Sequence, residues 1–386
     1  MNVLVLTLSF GSGHVRASQA VAKEILVQEP NANVRVLDAL ADAHPLFRLG
    51  YEWPYWLMLK HAPSLWNRLN SVRHERMHES TAPGWAFRLG CRKVFHQIQT
   101  FRPDVIVAVE VAACEISAIA TQAKITRAPI LSVITDYEAE PIWVKQEAAA
   151  FTVADDNGRK ELIGWGAPSE KIFVTGIPID ASFSIEHDQQ ATRLRYGITD
   201  ELPIVLLMGG GMGPTRMDQV ARALAESNAP MHVIAISGHD RRAQRRLRNL
   251  RLELPSSLRV LGWTEDVPAL MQAAQVLATK PGGLTTLEAA SVPVPVVLFD
   301  PIPGAELINA KRMVDAGAAV MAPGARQTAH AILSLLEDAP RRNAMAANAD
   351  RFARPNARRD IATIALELAS SNQLSAAEGD RVRRVA

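Results

Sequence analysis

The chain has 386 residues; 42 basic and 40 acidic side chains leave a net charge of +2, and 48% of residues are hydrophobic against 21% charged. That length suits two domains, and the balance is that of a globular protein, which excludes a disordered or fibrous chain. Near-neutrality excludes bulk electrostatic capture of nucleic acid, and the cysteines, Cys91 and Cys114, are too few for a disulfide framework or a cysteine-built zinc site.

Asn2 to Leu8 is apolar, but no cationic stretch precedes it and Gly11, Ser12, Gly13 and His14 follow, so it reads as a buried first strand rather than a signal peptide. No run approaches the roughly 18–20 apolar residues of a spanning helix, which predicts a cytoplasmic protein or one lying on the inner face of the cell membrane. A helix is expected from about Val15 to Gln28, then strands at Val34–Leu37, Val105–Val109, Ile130–Ile134, Phe151–Ala154 and Ile172–Val174. The rhythm restarts with strands at Ile204–Met208, His232–Ile236, Leu258–Leu261, Val276–Thr279 and Val294–Leu298. Continuous Val/Ile/Leu runs separated by helices indicate parallel strands covered on both faces. The reading is α/β, two doubly wound Rossmann-like domains. They are expected to meet across a cleft at the carboxyl ends of their strands, where such folds bind ligands.

The polar stretch from Asp180 to Pro203 places the boundary, giving an amino-terminal domain over 1–185 and a carboxy-terminal one over 186–350. Residues 45–100 form an insert without a clear strand, rich in aromatics; 351–374 reads as a helix that packs back on the first domain, and 375–386 as a frayed tail.

Three glycine turns stand where a strand ends and a helix begins: Ser9-Phe10-Gly11-Ser12-Gly13-His14, Gly209-Gly210-Gly211-Met212-Gly213-Pro214, and Lys280-Pro281-Gly282-Gly283-Leu284-Thr285-Thr286. Glycine admits close approach of a ligand, and the amides of the following helix start attract phosphate. Strand-to-helix turns also use glycine for geometry alone. Arg16 stands where a dinucleotide fingerprint needs its third glycine, and no turn ends in the Gly-Lys-Ser/Thr of a P-loop, so NAD binding and NTP hydrolysis lose ground.

Further segments follow in order: Arg16-Ala17-Ser18, Thr135-Asp136-Tyr137 with Trp143, Thr175-Gly176-Ile177-Pro178-Ile179, Thr279-Lys280-Pro281-Gly282-Gly283 with Glu288, and Pro303-Gly304 with Glu306 and Asn309. From about residue 2 to residue 350 this ordered set resembles the monogalactosyldiacylglycerol synthases and bacterial diacylglycerol glucosyltransferases of glycosyltransferase family 28. More distantly it resembles the UDP-GlcNAc transferase that forms peptidoglycan lipid II.

The resemblance implies the GT-B fold, a UDP-sugar donor, a diacylglycerol or related lipid acceptor, and inversion at the anomeric carbon. It implies donor phosphates on Gly282, Gly283, Leu284 and Thr285, ribose hydroxyls on Glu288, and uracil against Leu261, Gly262 and Trp263. Sugar hydroxyls would fall to Glu306 and Asn309 beside Gly304, and Gly210, Gly211 and Met212 would face the phosphates or sugar. Glu288 also reads simply as an acid favoured by the helix dipole.

On the acceptor side, Gly13 adjoins His14, whose ordinary pKa near 6.5 suits a base that takes the acceptor proton; Asp136 is either the base itself or the group that orients His14. A polar loop residue and a helix cap are the plainer readings of these two. No metal-binding Asp-x-Asp motif is present, so no obligatory cofactor or cation is expected. Two departures stand out: Glu140 where relatives carry histidine, and Ala305 where they carry glutamine.

An insoluble acceptor requires contact with a bilayer. Tyr51, Trp53, Trp56 and Trp66 among Arg48, Lys60, Arg68 and Arg73 suit the headgroup region, with Trp143 on the acceptor side; a helical subdomain core is the plainer alternative for the insert. The arginine-rich stretch 241–251 would meet anionic lipid or form a solvated helix face, and no nucleic-acid motif accompanies it. Two other readings share the architecture: transfer to another lipid or small-molecule acceptor, and a UDP-GlcNAc 2-epimerase-like enzyme.

Overall fold

The computed structural model describes residues 1–9, 12–61, 82–210, 215–250, 257–302 and 304–385. The chain divides into two compact units, Met1–Asp180 with Asn356–Ala386, and Ala181–Pro355.

The first unit begins with β1 (Asn2–Thr7), α1 (Ser12–Gln28) and β2 (Asn33–Asp38), followed by α2 (Pro45–His61), α3 (Gly84–Gly90) and α4 (Arg92–Phe101). It continues through β3 (Val105–Ala108), α5 (Val111–Gln122), β4 (Ile130–Val133), β5 (Ala148–Val153), α6 (Asp156–Gly164) and β6 (Ile172–Val174). The six strands form one parallel sheet in the order β2-β1-β3-β4-β5-β6. Every residue of β3 and β4 is buried, as continuous apolar strands covered on both faces should be. Helix starts are fixed by carboxylates: Glu110 Oε2 accepts from the amides of Ala112 at 2.7 Å and Ala113 at 3.3 Å, and Asp155 does the same for α6.

The second unit contains α7 (Gln189–Arg195), β7 (Ile204–Met208), α8 (Met217–Glu226), β8 (His232–Ile236), α9 (Arg241–Arg248), β9 (Leu258–Leu261), α10 (Val267–Ala273) and β10 (Val276–Thr279). It ends with α11 (Gly283–Ala290), β11 (Val296–Leu298), α12 (Ala305–Asp315), β12 (Ala319–Met321), α13 (Ala325–Glu337) and α14 (Ala339–Phe352). Its parallel sheet runs β12-β11-β10-β7-β8-β9. The strand order reverses between β7 and β10, and ligands of open parallel sheets bind outside the carboxyl ends at such a point. The glycine turns after β7 and after β10 both emerge there.

The last helix, α15 (Ala357–Val385), belongs to the first unit and lies along α1. Arg358 Nε meets Glu24 Oε2 at 3.1 Å, Gln28 Nε2 donates to the Arg359 carbonyl at 3.0 Å, and Asn372 Nδ2 donates to the Asp104 carbonyl at 3.0 Å. The expected frayed tail over 375–386 is corrected: the backbone stays helical to Val385. Its alanines, glutamate and arginines are good helix formers.

Candidate active site

His14 sits in the first turn of α1, just past the end of β1, and its Nδ1 lies 2.8 Å from the Thr135 hydroxyl at the end of β4. The parallel order that places β1 and β4 either side of β3 brings the two chain-distant segments together. When Nδ1 donates to Thr135, Nε2 presents its lone pair, and no described residue hydrogen-bonds Nε2. Burial holds the imidazole pKa below its ordinary value, opposed by the charge of Asp136. The helix start also disfavours an imidazolium. The result is a neutral histidine at neutral pH with a carboxylate near enough to stabilise its protonated form. A Cβ added at Gly13 would meet no described atom within 4 Å. Cys91 and Cys114 are buried, with thiols pushed up to about 12 and about 11, so neither is a nucleophile.

In the second unit, Gly210 has φ +74°, which a side chain would strain, while Gly282 has an ordinary φ of −65° and space for a Cβ. Neither backbone nor packing demands glycine at 282, so tight-turn geometry does not explain it. Gly283, Leu284 and Thr285 open α11, and Glu288 is fully buried one turn on. Asn309 is also fully buried and donates Nδ2 to the Pro281 carbonyl at 3.1 Å, tying α12 to the glycine turn. Gly304 takes φ 104°, ψ −130° to start α12, and Glu306 Oε2 accepts from the Ile302 amide at 2.5 Å. Lys280 is 3% exposed, its Nζ 3.8 Å from Glu306 Oε2. Asp300, held at φ +47°, accepts from the Arg216 amide at 2.9 Å and Nε at 2.7 Å, linking the segment after β7 to that after β11.

At the far side of this sheet Trp263 is exposed and stacks on His239, ring centroids 4.5 Å apart and planes 9° from parallel. The Leu261 carbonyl accepts from the Ser237 amide and hydroxyl, each at 3.0 Å, and a Cβ on Gly262 would come 3.0 Å from Gln244 Nε2. Gly211 and Met212 lie outside the described residues, as do Trp66 and the side chain of Trp56.

The aromatic insert divides. Tyr51 turns inward: its ring packs 5.7 Å from Phe47 and 6.3 Å from Phe87, which removes it from the expected surface set. Gly90 is required here, because a Cβ would fall 2.3 Å from the Phe47 ring. Trp143, also expected on the acceptor side, is 4% exposed within the core of the first unit. Trp53 is 58% exposed, on a helix face shared with exposed Leu46, Leu49 and Leu57. On α9, Arg246 pairs with Asp218 at 3.2 Å, and Arg241, Arg242, Arg245 and Arg248 are exposed. Among the described residues no helix is long and apolar enough to cross a membrane.

Residues 14–179 match the profile of monogalactosyldiacylglycerol synthase, and residues 188–352 that of glycosyl transferases group 1. The chain is 28% identical over 321 residues, 83% of its length and 81% of the relative's, to a protein of Bacillus cereus named processive diacylglycerol beta-glucosyltransferase. Along most of its length the chain is similar to glycosyltransferases. A Bacillus anthracis protein of the same name is 27% identical over 321 residues. MurG of Acinetobacter baumannii superposes with a TM-score of 0.62 at 17% identity, covering 95% of this chain and 99% of that one. Anabaena HepE, solved with UDP-glucose, gives 0.57 at 20% identity, covering 97% and 100%. Both place the two parallel sheets of this glycosyltransferase in the GT-B fold.

Two residues to which the sequence analysis gives no role of their own, Thr135 and Lys280, lie at these candidate sites in the structure. Thr135 adjoins Asp136 and orients His14. Lys280 is a cation directly after an all-buried strand, where the pattern calls for an apolar residue, and that break in the pattern was the available signal.

Proposed function

We propose that this glycosyltransferase moves a hexose from a UDP-sugar to diacylglycerol or a related lipid at a membrane surface, inverting the anomeric carbon. The observation that carries the reading is the Thr135–His14 bond, which orients a neutral imidazole with Nε2 available to a substrate. The acceptor oxygen bonds to C1 as its proton passes to Nε2, and the C1–O bond to phosphate breaks with its electron pair leaving on UDP. Asp136 stabilises the imidazolium so formed. The diphosphate rests on the amides that open α11, at the strand-order reversal.

Glycine at 282 fits this reading. Gly282→Ala is expected to leave the thermal midpoint unchanged or slightly raised, because the backbone there suits alanine. It is expected to weaken UDP binding on the order of tenfold, by placing a methyl where the phosphate approaches. Calorimetric titration alongside a melting curve reads both.

The face of α2 bearing Leu46, Leu49, Trp53 and Leu57 supplies the membrane contact; an apolar stripe turned to solvent on a helix with Arg48 suits the interfacial zone. The decisive experiment offers UDP-glucose, UDP-galactose, UDP-glucuronate and UDP-N-acetylglucosamine to diacylglycerol liposomes, with products read by mass spectrometry. One donor is expected to yield a monoglycosylated lipid, and the double variant Trp53→Ala, Leu57→Ala to lose flotation with those liposomes. Conversion of UDP-N-acetylglucosamine to its C2 epimer without diacylglycerol would instead favour an epimerase-like reaction.

A further inference from the structure

We propose that the Lys280 ammonium is the cation that takes up the diphosphate charge of the departing nucleotide. The proposal rests on the donor reading above and names the group that stabilises its leaving group.

Lys280 lies between the end of β10 and the start of α11, at the reversal of strand order. It is 3% exposed, and its Nζ finds no hydrogen-bond acceptor among the described residues. The Glu306 carboxylate, with Oε2 3.8 Å away, is beyond hydrogen-bond length and already accepts from the Ile302 amide. A buried ammonium with three donors and no acceptor is unfavourable in a chain built for stability alone. Two residues further on, Gly282 leaves space where a Cβ would sit. An anion at the α11 start would meet the lysine, the helix amides and that space together.

The charged groups acting on Lys280 are Glu306 and Asp300, and Asp300 is itself engaged by Arg216. Burial lowers the lysine pKa and both carboxylates raise it, so the group sits below its ordinary value in the absence of ligand. A bound diphosphate favours the charged form.

In the transfer, the acceptor oxygen–C1 bond forms, the C1–O bond to the β-phosphate breaks, and its electron pair becomes an added negative charge on UDP. The acceptor proton leaves to His14. Lys280 keeps its proton throughout and faces the charge that builds.

The test titrates UDP and uridine into the wild type, Lys280→Met and Lys280→Gln. Both variants are expected to bind UDP on the order of 10- to 100-fold more weakly, the cost of one buried charge-assisted contact, with uridine affinity unchanged within about twofold. Their ligand-free melting temperatures are expected not to fall. The wild-type preference for UDP over uridine should decline as pH rises through the Lys280 pKa, which lies below its ordinary value, and Lys280→Met should show no such decline. Unchanged UDP affinity in the variants, or a pH-independent preference in the wild type, would overturn the role and leave a structural ion pair with Glu306. A wild type that binds no UDP would sink the donor site itself, and this role with it.

Discussion

His14→Ala is expected to lower turnover on the order of 10³-fold while UDP affinity stays within about twofold. The size follows from losing a positioned base, and the split follows from location: His14 is in the first unit and the nucleotide turn in the second. The pH profile carries the sharper content. A base must be deprotonated, so the rate rises with pH through the His14 pKa. Burial puts that pKa below its ordinary value of 6.5, so the acid limb lies below that pH. Asp136 opposes the shift by stabilising the imidazolium. Asp136→Asn removes that stabilisation, so the limb moves to lower pH while the plateau rate drops. A limb that disappears in Asp136→Asn and survives His14→Ala would instead assign the base to Asp136. Thr135→Val keeps shape but removes the hydroxyl on Nδ1; it reduces kcat with little effect on the KM for the donor.

Most of the sheet architecture was legible because each central strand is a short continuous apolar run ended by glycine, proline or a polar residue. Ile204–Met208, His232–Ile236, Leu258–Leu261 and Val276–Thr279 match their sequence patterns residue for residue. β12 was missed: Ala319-Val320-Met321 is three residues long and too short to carry a pattern. The aromatic insert defeated pattern reading for a different reason. α2 is apolar on two faces, Phe47 and Tyr51 turning in while Leu46, Leu49, Trp53 and Leu57 turn out, so periodicity alone does not say which side is core. Trp143 was likewise read outward although it packs in the core, because a tryptophan near polar residues carries no directional signal. The glycine turns were legible as turns, but not which glycine the backbone needs: Gly210 and Gly304 require their unusual φ, and Gly282 does not.

Glu288→Ala is expected to weaken UDP binding on the order of 10- to 100-fold and to leave phosphate-only ligands such as pyrophosphate unaffected. Glu288 is fully buried on α11, among Leu287, Ala289 and Ala290, where packing alone would favour an apolar side chain. A ribose would offer two adjacent hydroxyl donors to the two oxygens of the Glu288 carboxylate. The decisive comparison is a cycle with 2′-deoxy-UDP. If Glu288 holds the ribose, the wild type loses affinity for the deoxynucleotide and Glu288→Ala shows no further loss between the two ligands. Additive losses would place the carboxylate away from the sugar and return it to a structural role in the helix. Lys280 offers an internal contrast: its variants should discriminate by phosphate and not by ribose, so the same ligands read two neighbouring residues of one turn and helix with opposite patterns.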